Sequence, residues 1–416
     1  MGVTDFDIGD KQMKVLFINT VFGKGSTGRI VKDIGETLEK EGHEYVALYG
    51  REPINNDSHA VFIGNPNDAR IHAGLSRITD KCGFYSKNAT QKAIEFIKKY
   101  NPDVIHLHNL HGYYINIELL FLYLKNEYQG KIIWTLHDCW AFTGHCVHYT
   151  YAKCCKWKTG CYHCPEKKRY PASIFFDNSQ KNYRKKQELF TGLTNLTIVT
   201  PSDWLANQVK ESFLREYNCV VVNNGIDIEV FCPQKKENKR PYVLNVLDGL
   251  DERKGFSDLV KISEAVSGKY DVVVIGVSEK EAVQVPASIK AVCRTNSQQE
   301  LAQYYSNADY FVNTTYEDTF PTVNIEALAC GTPVITYRSG GSPEIIDYKS
   351  GITVEPGDYE AIITILMNNK APTEEMCRKR AMNYNKWDKY AEYINLYLGQ
   401  EKCDESTLFD ECSFTI

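Results

Sequence analysis

The amino-acid sequence predicts an α/β protein made of two doubly wound, Rossmann-like halves. Short apolar runs alternate with stretches of helical periodicity along most of the chain. The apolar runs are continuous, as in strands buried on both faces of a parallel sheet. A turn-rich and then charged stretch, from Asn223 to Arg240, divides the series in two.

Taken in order, residues 1–12 are polar and acidic and read as a disordered leader. Strands are expected at 15–20 and 45–49, with a helix at 29–40 between them. A helix at 89–99 precedes strands at 104–107 and 132–136, and runs at 196–200 and 220–222 continue the pattern. In the second half, strands at 242–247, 272–275, 310–313 and 333–336 are separated by helical stretches such as 256–265 and 299–306. Aromatic and aliphatic residues recur at helical spacing over 387–398, and the tail after Gly399 is polar and loose. The expected domains are 13–222 and 223–386, followed by a C-terminal helix at 387–398.

A chain of 416 residues, 43% hydrophobic and 24% charged, suits two or three ordinary domains. It holds no run of about 20 apolar residues able to span a bilayer. Its N-terminus lacks the charged-then-apolar pattern of a signal peptide, so a cytoplasmic protein is expected. A formal net charge of −5 argues against nucleic acid as a partner. Positive charge nevertheless gathers at Lys153 to Lys158, at Lys167 to Arg169, and at Lys181, Arg184, Lys185 and Lys186. Such clusters are commonly solvated faces. The alternative reading is a surface for anionic headgroups or a lipid-linked diphosphate, on a protein peripheral to the inner face of the membrane.

The densest functional signal is residues 317–336. Asp318 is followed by a turn and by Pro321, which suits a first helical turn because its missing N–H costs nothing there. The free N–H groups of that turn, around Thr319, Phe320, Thr322 and Val323, make an anion site. Glu326 lies one to two turns further on, where a carboxylate can accept hydrogen bonds from both hydroxyls of a ribose. The helix closes at Gly331, a strand resumes at Val334, and Gly340-Gly341-Ser342-Pro343-Glu344 follows. A lone Glu would read as an exposed helix charge; the conjunction reads as a grip on a nucleotide-sugar.

This conjunction resembles the signature of glycosyltransferase family 4, an acid-x7-acid element and a helix ending in Ala-x-Gly-Thr-Pro-Val. Asp318 stands where many relatives carry Glu, and Glu317 sits one place earlier. Asn223-Asn224-Gly225-Ile226-Asp227, with Phe231 and Pro233, resembles the family's linker. The resemblance runs from Met13 to about Leu398. It implies a GT-B fold with an interdomain cleft, last helices that cross back to the N-terminal domain, retention of anomeric configuration and no catalytic metal. It also implies a ribose anchor at Glu326, sugar hydroxyls at Asp318, and further donor contacts at Gly340 and Glu344. The acceptor implied by analogy is a lipid-linked glycan.

Arg253-Lys254-Gly255 follows the first strand of the second half and resembles the family's Lys-Gly element. Two cations there would neutralise a departing diphosphate, although an exposed basic turn is the commoner meaning of such a pair. Many relatives place an Arg six residues before that Lys; this chain has Asp248, and Arg253 is expected to take the role. His137-Asp138 ends a strand in the crevice position and resembles the family's acceptor-side His. His106, His108 and His111 are expected to form a polar rim beside it.

Gly23-Lys24-Gly25-Ser26-Thr27-Gly28 matches G-x-G-x-x-G, which also opens a dinucleotide site. Such a site wants an acid after the second strand, and here Gly50 and Arg51 stand there, with Glu52 slightly late. The resemblance gives Gly25 and Ser26 a different task, letting donor and acceptor approach across the cleft. Rival functions are therefore a nicotinamide-dependent oxidoreductase, a GT-B-shaped nucleotide-sugar epimerase and, more remotely, a zinc-stabilised interaction module.

Six of the 14 cysteines lie between Cys139 and Cys164. Cys146, Cys154, Cys161 and Cys164 form C-x7-C-x6-C-x2-C, whose last pair has zinc-knuckle spacing. The expectation is a structural zinc site beside the acceptor pocket, with His145, His148 or His163 able to replace a thiolate. Disulfides or free thiols are the plain alternative.

Overall fold

The protein is described here by a computed structural model covering residues 12–54, 57–237, 240–368 and 370–400. The leader, apart from Gln12, and the tail beyond Gln400 lie outside the described residues.

The first half holds β1 (Lys14–Asn19), β2 (Glu44–Tyr49), β3 (Ala60–Phe62), β4 (Val104–Leu107), β5 (Lys131–Thr135), β6 (Leu196–Thr200) and β7 (Asn218–Val221). They pair in parallel in the order β3-β2-β1-β4-β5-β6-β7. The second half holds β8 (Tyr242–Val246), β9 (Asp271–Ile275), β10 (Ile289–Val292), β11 (Tyr310–Asn313), β12 (Val334–Tyr337) and β13 (Gly351–Val354). These too are parallel, in the order β10-β9-β8-β11-β12-β13. Helices cover both faces, so each sheet packs against two apolar layers. Val15, Leu16, Phe17 and Ile18 are fully buried, which is why β1 reads as one uninterrupted apolar run.

Both sheets reverse strand order beside their first strand, between β1 and β4 and between β8 and β11. In such sheets, ligands bind in the crevice at the carboxyl ends of the strands flanking the reversal. The glycine loop leaves β1, the Arg253-Lys254 turn leaves β8, and the segment carrying Asp318 leaves β11. All three fall at those ends.

Three strands and several helices escaped the periodicity reading. β3 is three half-buried residues, and β10 carries Lys290 inside a mixed Ile-Lys-Ala-Val run. β13 begins at Gly351 and is only partly buried. The helix Ile117–Asn126 is apolar nearly throughout, which hides its period.

The last helix, Lys386–Leu398, packs on the N-terminal half against the helix Gly25–Lys40. Tyr390, Tyr393 and Tyr397 are buried in one cluster with Val15, Phe17 and Val31. The Tyr397 hydroxyl lies 2.6 Å from His106 Nδ1, and Lys131 Nζ donates to the carbonyls of Leu396 and Tyr397. The linker meets the start of this helix. Tyr390 Oη donates to the Gly225 carbonyl at 3.0 Å, and Lys386 Nζ pairs with Asp227 at 2.9 Å and with Asp33 at 3.2 Å.

Candidate active site

On the donor side, the chain leaves β11 and crosses the strand ends before entering the helix Thr322–Ala329. Pro321 occupies the position before the first helical residue. The two neighbouring acids diverge. Glu317 turns inward, accepts from Tyr151 N at 2.7 Å and Thr150 Oγ1 at 3.3 Å, and stands 3.6 Å from Arg253 Nη1. Asp318 faces the crevice, with Oδ2 3.5 Å from Lys254 Nζ and Oδ1 accepting from Phe320 N. The alternation of side chains along an extended segment sends consecutive residues to opposite sides, so only one of the pair can face the crevice.

Two glycines make this packing possible. Gly340 has φ +51, and a Cβ there would lie 1.6 Å from the Asp318 carbonyl oxygen. Gly255 has φ +70, and a Cβ would lie 2.1 Å from the Thr314 carbonyl oxygen. Thr314 Oγ1 also donates to the Lys254 carbonyl, so the basic turn is clamped to the exit of β11. Lys254 is thereby held beside Asp318, with its side chain about a third exposed (34%).

Glu326 is buried, with Oε2 accepting from the Tyr305 hydroxyl at 3.0 Å. Burial raises its pKa, opposed by Arg29 of the other half and by the Tyr305 bond. Glu326 and Thr322 line a cavity of about 290 Å³ together with Gly23, Ser26 and Arg29. The glycine loop and the acid-bearing helix are therefore two walls of one interdomain space. Gly25 begins the helix that carries Ser26 and Arg29.

Arg253, expected at the diphosphate, is already occupied. Its Nη2 lies 2.7 Å from Asp251 Oδ2 and its Nε 3.2 Å from Asp251 Oδ1, with Glu317 beyond. Asp251 also receives Arg169 at 3.0 Å, a residue carried just beyond the Cys-rich stretch. Lys254 is thus the cation facing Asp318, and Arg253 holds Asp251 and Glu317, the two acids that tie the second half to residues 150–169. Glu344, expected at the donor, accepts instead from Asp203 N at 2.8 Å and Trp204 N at 2.7 Å. Its carboxylate caps the helix Asp203–Glu211 of the other half, whose free N–H groups attract an anion.

On the acceptor side, His137 follows β5, with Nε2 2.9 Å from His108 Nδ1 and the two rings stacked 14° apart. Burial lowers the pKa of His137 to about 4 and pushes His108 well down, so both rings are neutral near pH 7. The His137 carbonyl accepts from Thr319 Oγ1 at 2.8 Å, which brings acceptor and donor loops into direct contact. Asp138 lies 2.6 Å from His111 Nε2; although burial opposes it, His111 helps hold Asp138 down to about 2. Of the expected polar rim, His106 has turned into the core, between Tyr397 and Thr135.

The Cys-rich segment packs around Trp140, Phe142, Tyr149 and Trp157, all buried. Cys161 Sγ accepts from Gly144 N at 3.2 Å, and the Cys146 and Cys164 thiols are hydrogen-bonded. Cys154 packs at the edge of the same core. His145 pairs through Nδ1 with Asp80. Among the described residues, no three His, Cys, Asp or Glu side chains converge as a metal-holding group. Lys186, counted with the basic surface, is buried and donates to the carbonyls of Trp140 and Thr143. Burial lowers its pKa to about 7.

Sequence reasoning missed Tyr305, Arg29 and Ser202, whose hydroxyl donates to the Thr319 carbonyl across the domains. Tyr305 and Arg29 sit inside ordinary helical patterns that carry no local signal. Their roles arise only where two elements distant in sequence meet.

Two Rossmann-like halves whose crevices face each other, one bearing the acid-x7-acid helix, define a GT-B glycosyltransferase. A family profile described as "Glycosyltransferase Family 4" matches residues 27–230, and one described as "Glycosyl transferases group 1" matches residues 241–368. The chain belongs to glycosyltransferase family 4. It is 24% identical over 354 residues to the WcaC protein of Escherichia coli (strain K12), named for a glycosyl transferase of colanic acid biosynthesis. That match covers 80% of this chain and 85% of WcaC. The fold is similar to sucrose-phosphate synthase from Thermosynechococcus elongatus, with TM-score 0.69, 18% identity, and 93% and 99% of the two chains covered. It is also similar to HepE of Anabaena in complex with UDP-glucose, with TM-score 0.62, 15% identity, and 93% and 100% covered. Among the described residues, no helix is long and apolar enough to cross a membrane.

Proposed function

We propose that this glycosyltransferase moves a hexose-type sugar from a nucleotide diphosphate donor to a hydroxyl of a lipid-linked glycan, with retention of configuration, in building a polysaccharide. The observation that carries the donor half is Glu326, a buried carboxylate lining the interdomain cavity at the helix mouth. The glycan half rests on the likeness to WcaC, whose name places that protein in colanic acid biosynthesis.

In this reading Glu326 accepts from the two ribose hydroxyls, and the N–H groups at the start of the helix Thr322–Ala329 face a phosphate. Lys254 stabilises the charge that grows on the departing diphosphate, a role in which one lost donor costs about 100- to 1000-fold in rate. Asp318, steadied by Phe320 N, receives hydroxyls of the sugar. His137 is neutral and contacts the transferring sugar or the acceptor hydroxyl. A leaving-phosphate oxygen takes the acceptor proton, so neither a dedicated base nor a catalytic metal is required.

A thermal-shift panel of UDP-, GDP- and ADP-sugars tests the donor. One base should stabilise the protein by about 2.7 kcal/mol at 100 times its Kd. The same ligand should give no shift with Glu326→Ala. Absence of any shift across the panel, or an equal shift in that variant, would overturn the reading.

A further inference from the structure

A second cavity, of about 670 Å³, opens at the carboxyl ends of β2 and β3. Its wall includes Arg51, Arg70, Arg77, Tyr113 and Tyr170. Among the described residues none of these three arginines has an ion-pair partner; Arg51 donates to the Gly112 carbonyl at 3.2 Å. One exposed carboxylate, Glu52, also lines the cavity. Three guanidiniums around a concave space are suited to a phosphate or diphosphate, which they can grip through paired N–H groups.

The cavity borders the acceptor side. The Tyr170 hydroxyl lies 2.9 Å from His111 Nδ1, and His111 Nε2 lies 2.6 Å from Asp138, the neighbour of His137. A ligand in the cavity is therefore two hydrogen bonds from the strand end proposed to meet the acceptor.

The helix Pro66–Thr79 presents two stripes. Arg70, Ala73 and Arg77 line the cavity. Ile71, Leu75 and Ile78, roughly 130° further round, are exposed, Ile71 by 61%. The loop carrying Ile174, Phe175 and Phe176 rests on the end of this helix, with Ile174 N donating to the Arg77 carbonyl at 2.7 Å. Phe175 is 69% exposed. Six large apolar side chains beside an arginine-lined cavity form an uncommon surface for a water-facing protein. An amphipathic helix with arginines on its polar face, together with exposed aromatic rings, suits the membrane interface.

We infer that the Arg51–Arg70–Arg77 cavity binds the phosphate-bearing head of a lipid-linked acceptor, while the Ile71–Leu75–Ile78 stripe and the Ile174–Phe176 loop seat in the bilayer surface. The inference rests on the transfer reading above and names its acceptor site. The lipid tail would leave through the apolar stripe, and the glycan would extend past Tyr170 toward His137.

Vesicle flotation separates the sources of the anion. Phosphatidylcholine vesicles doped with geranylgeranyl diphosphate should capture the protein. Matched vesicles doped with phosphatidylglycerol should capture it roughly tenfold less. Inorganic diphosphate should compete with capture. Arg70→Ala/Arg77→Ala should lose roughly tenfold in diphosphate affinity. Phe175→Ser/Phe176→Ser should lose vesicle capture yet keep the affinity for inorganic diphosphate. These four side chains are exposed, and unchanged melting curves would verify the folds. Equal capture by the two anionic vesicles, or undiminished diphosphate binding by the arginine variant, would overturn the inference. The nucleotide-sugar shift should persist in both variants. If the parent itself lacks that shift, the donor reading falls, while the lipid site still stands or falls on the vesicles.

Discussion

At the ends of β8 and β11, Lys254 and Asp318 stand 3.5 Å apart and partly exposed, and the buried Glu326 carboxylate lies on the helix Thr322–Ala329 that follows Asp318. At the ends of β4 and β5, His108 and His137 stack as neutral rings, 2.9 Å apart, with His108 fully enclosed. One edge holds charge in a loose arrangement that an anionic ligand can enter. The other holds uncharged polar groups in a set hydrogen-bonded geometry. The difference teaches how labour would divide between topologically alike sheets under the proposed function: the second half would neutralise a departing group, and the first would orient a reacting one. The Thr319–His137 bond joins the two edges.

Breaking the charged edge should have the largest effect. Lys254→Ala is expected to lower kcat by about 100- to 1000-fold while the melting temperature holds, because the side chain makes a single long ion pair. A rate within a few-fold of the parent would remove Lys254 from the leaving-group role. Glu326→Gln should act next, chiefly through donor KM. Losing a charged hydrogen-bond acceptor of this kind costs about 1.5–3 kcal/mol, or roughly ten- to a hundredfold in affinity. An unchanged KM would place the ribose elsewhere.

The neutral edge makes a prediction about pH. The His137 pKa falls from 6.5 to about 4 on folding, because burial disfavours the imidazolium. As pH drops below 6.5 the unfolded chain binds a proton before the folded one does, so stability is lost between pH 6.5 and about 4 and is complete above that window. His137→Gln should flatten this part of the melting-temperature profile. An identical slope in the variant would mean that His137 does not titrate this way.

The smallest effect is expected at the seam. Glu344→Ala removes a carboxylate that accepts two backbone N–H groups across the domains. A lost cap of this sort costs about 0.5–2 kcal/mol, a fall of a few degrees in a thermal melt. kcat should remain near the parent value, since both carboxylate oxygens are engaged by backbone N–H groups. A large kcat loss at constant stability would return Glu344 to the donor site.

The legible parts of the chain were those where local pattern and global position agree. Apolar runs such as Val15–Ile18 mark central strands because both sheet faces are covered. The Pro321 and Glu326 spacing could be read because one short helix carries both ends of the proposed ligand grip. The spacing pointed to Asp318 rather than Glu317, but what holds Glu317 inward was not legible, since Tyr151 arrives from a segment 166 residues earlier. Arg253 and Glu344 carry motif-like neighbours, yet Asp251 and the start of the helix Asp203–Glu211 claim their charges. The cysteine spacing suggested a metal site; that Trp140, Phe142 and Trp157 give the same segment an apolar centre is something spacing alone does not reveal.

The closing helix has a consequence for biosynthesis. Tyr390, Tyr393 and Tyr397 complete a cluster begun by Met13, Val15 and Phe17. A ribosome must therefore make the helix Lys386–Leu398, after both sheets, before that face of the earliest-made sheet is fully covered. Until then the helix Gly25–Lys40 covers it only in part, and a stop codon ahead of Lys386 would leave the domain made first with an incomplete core.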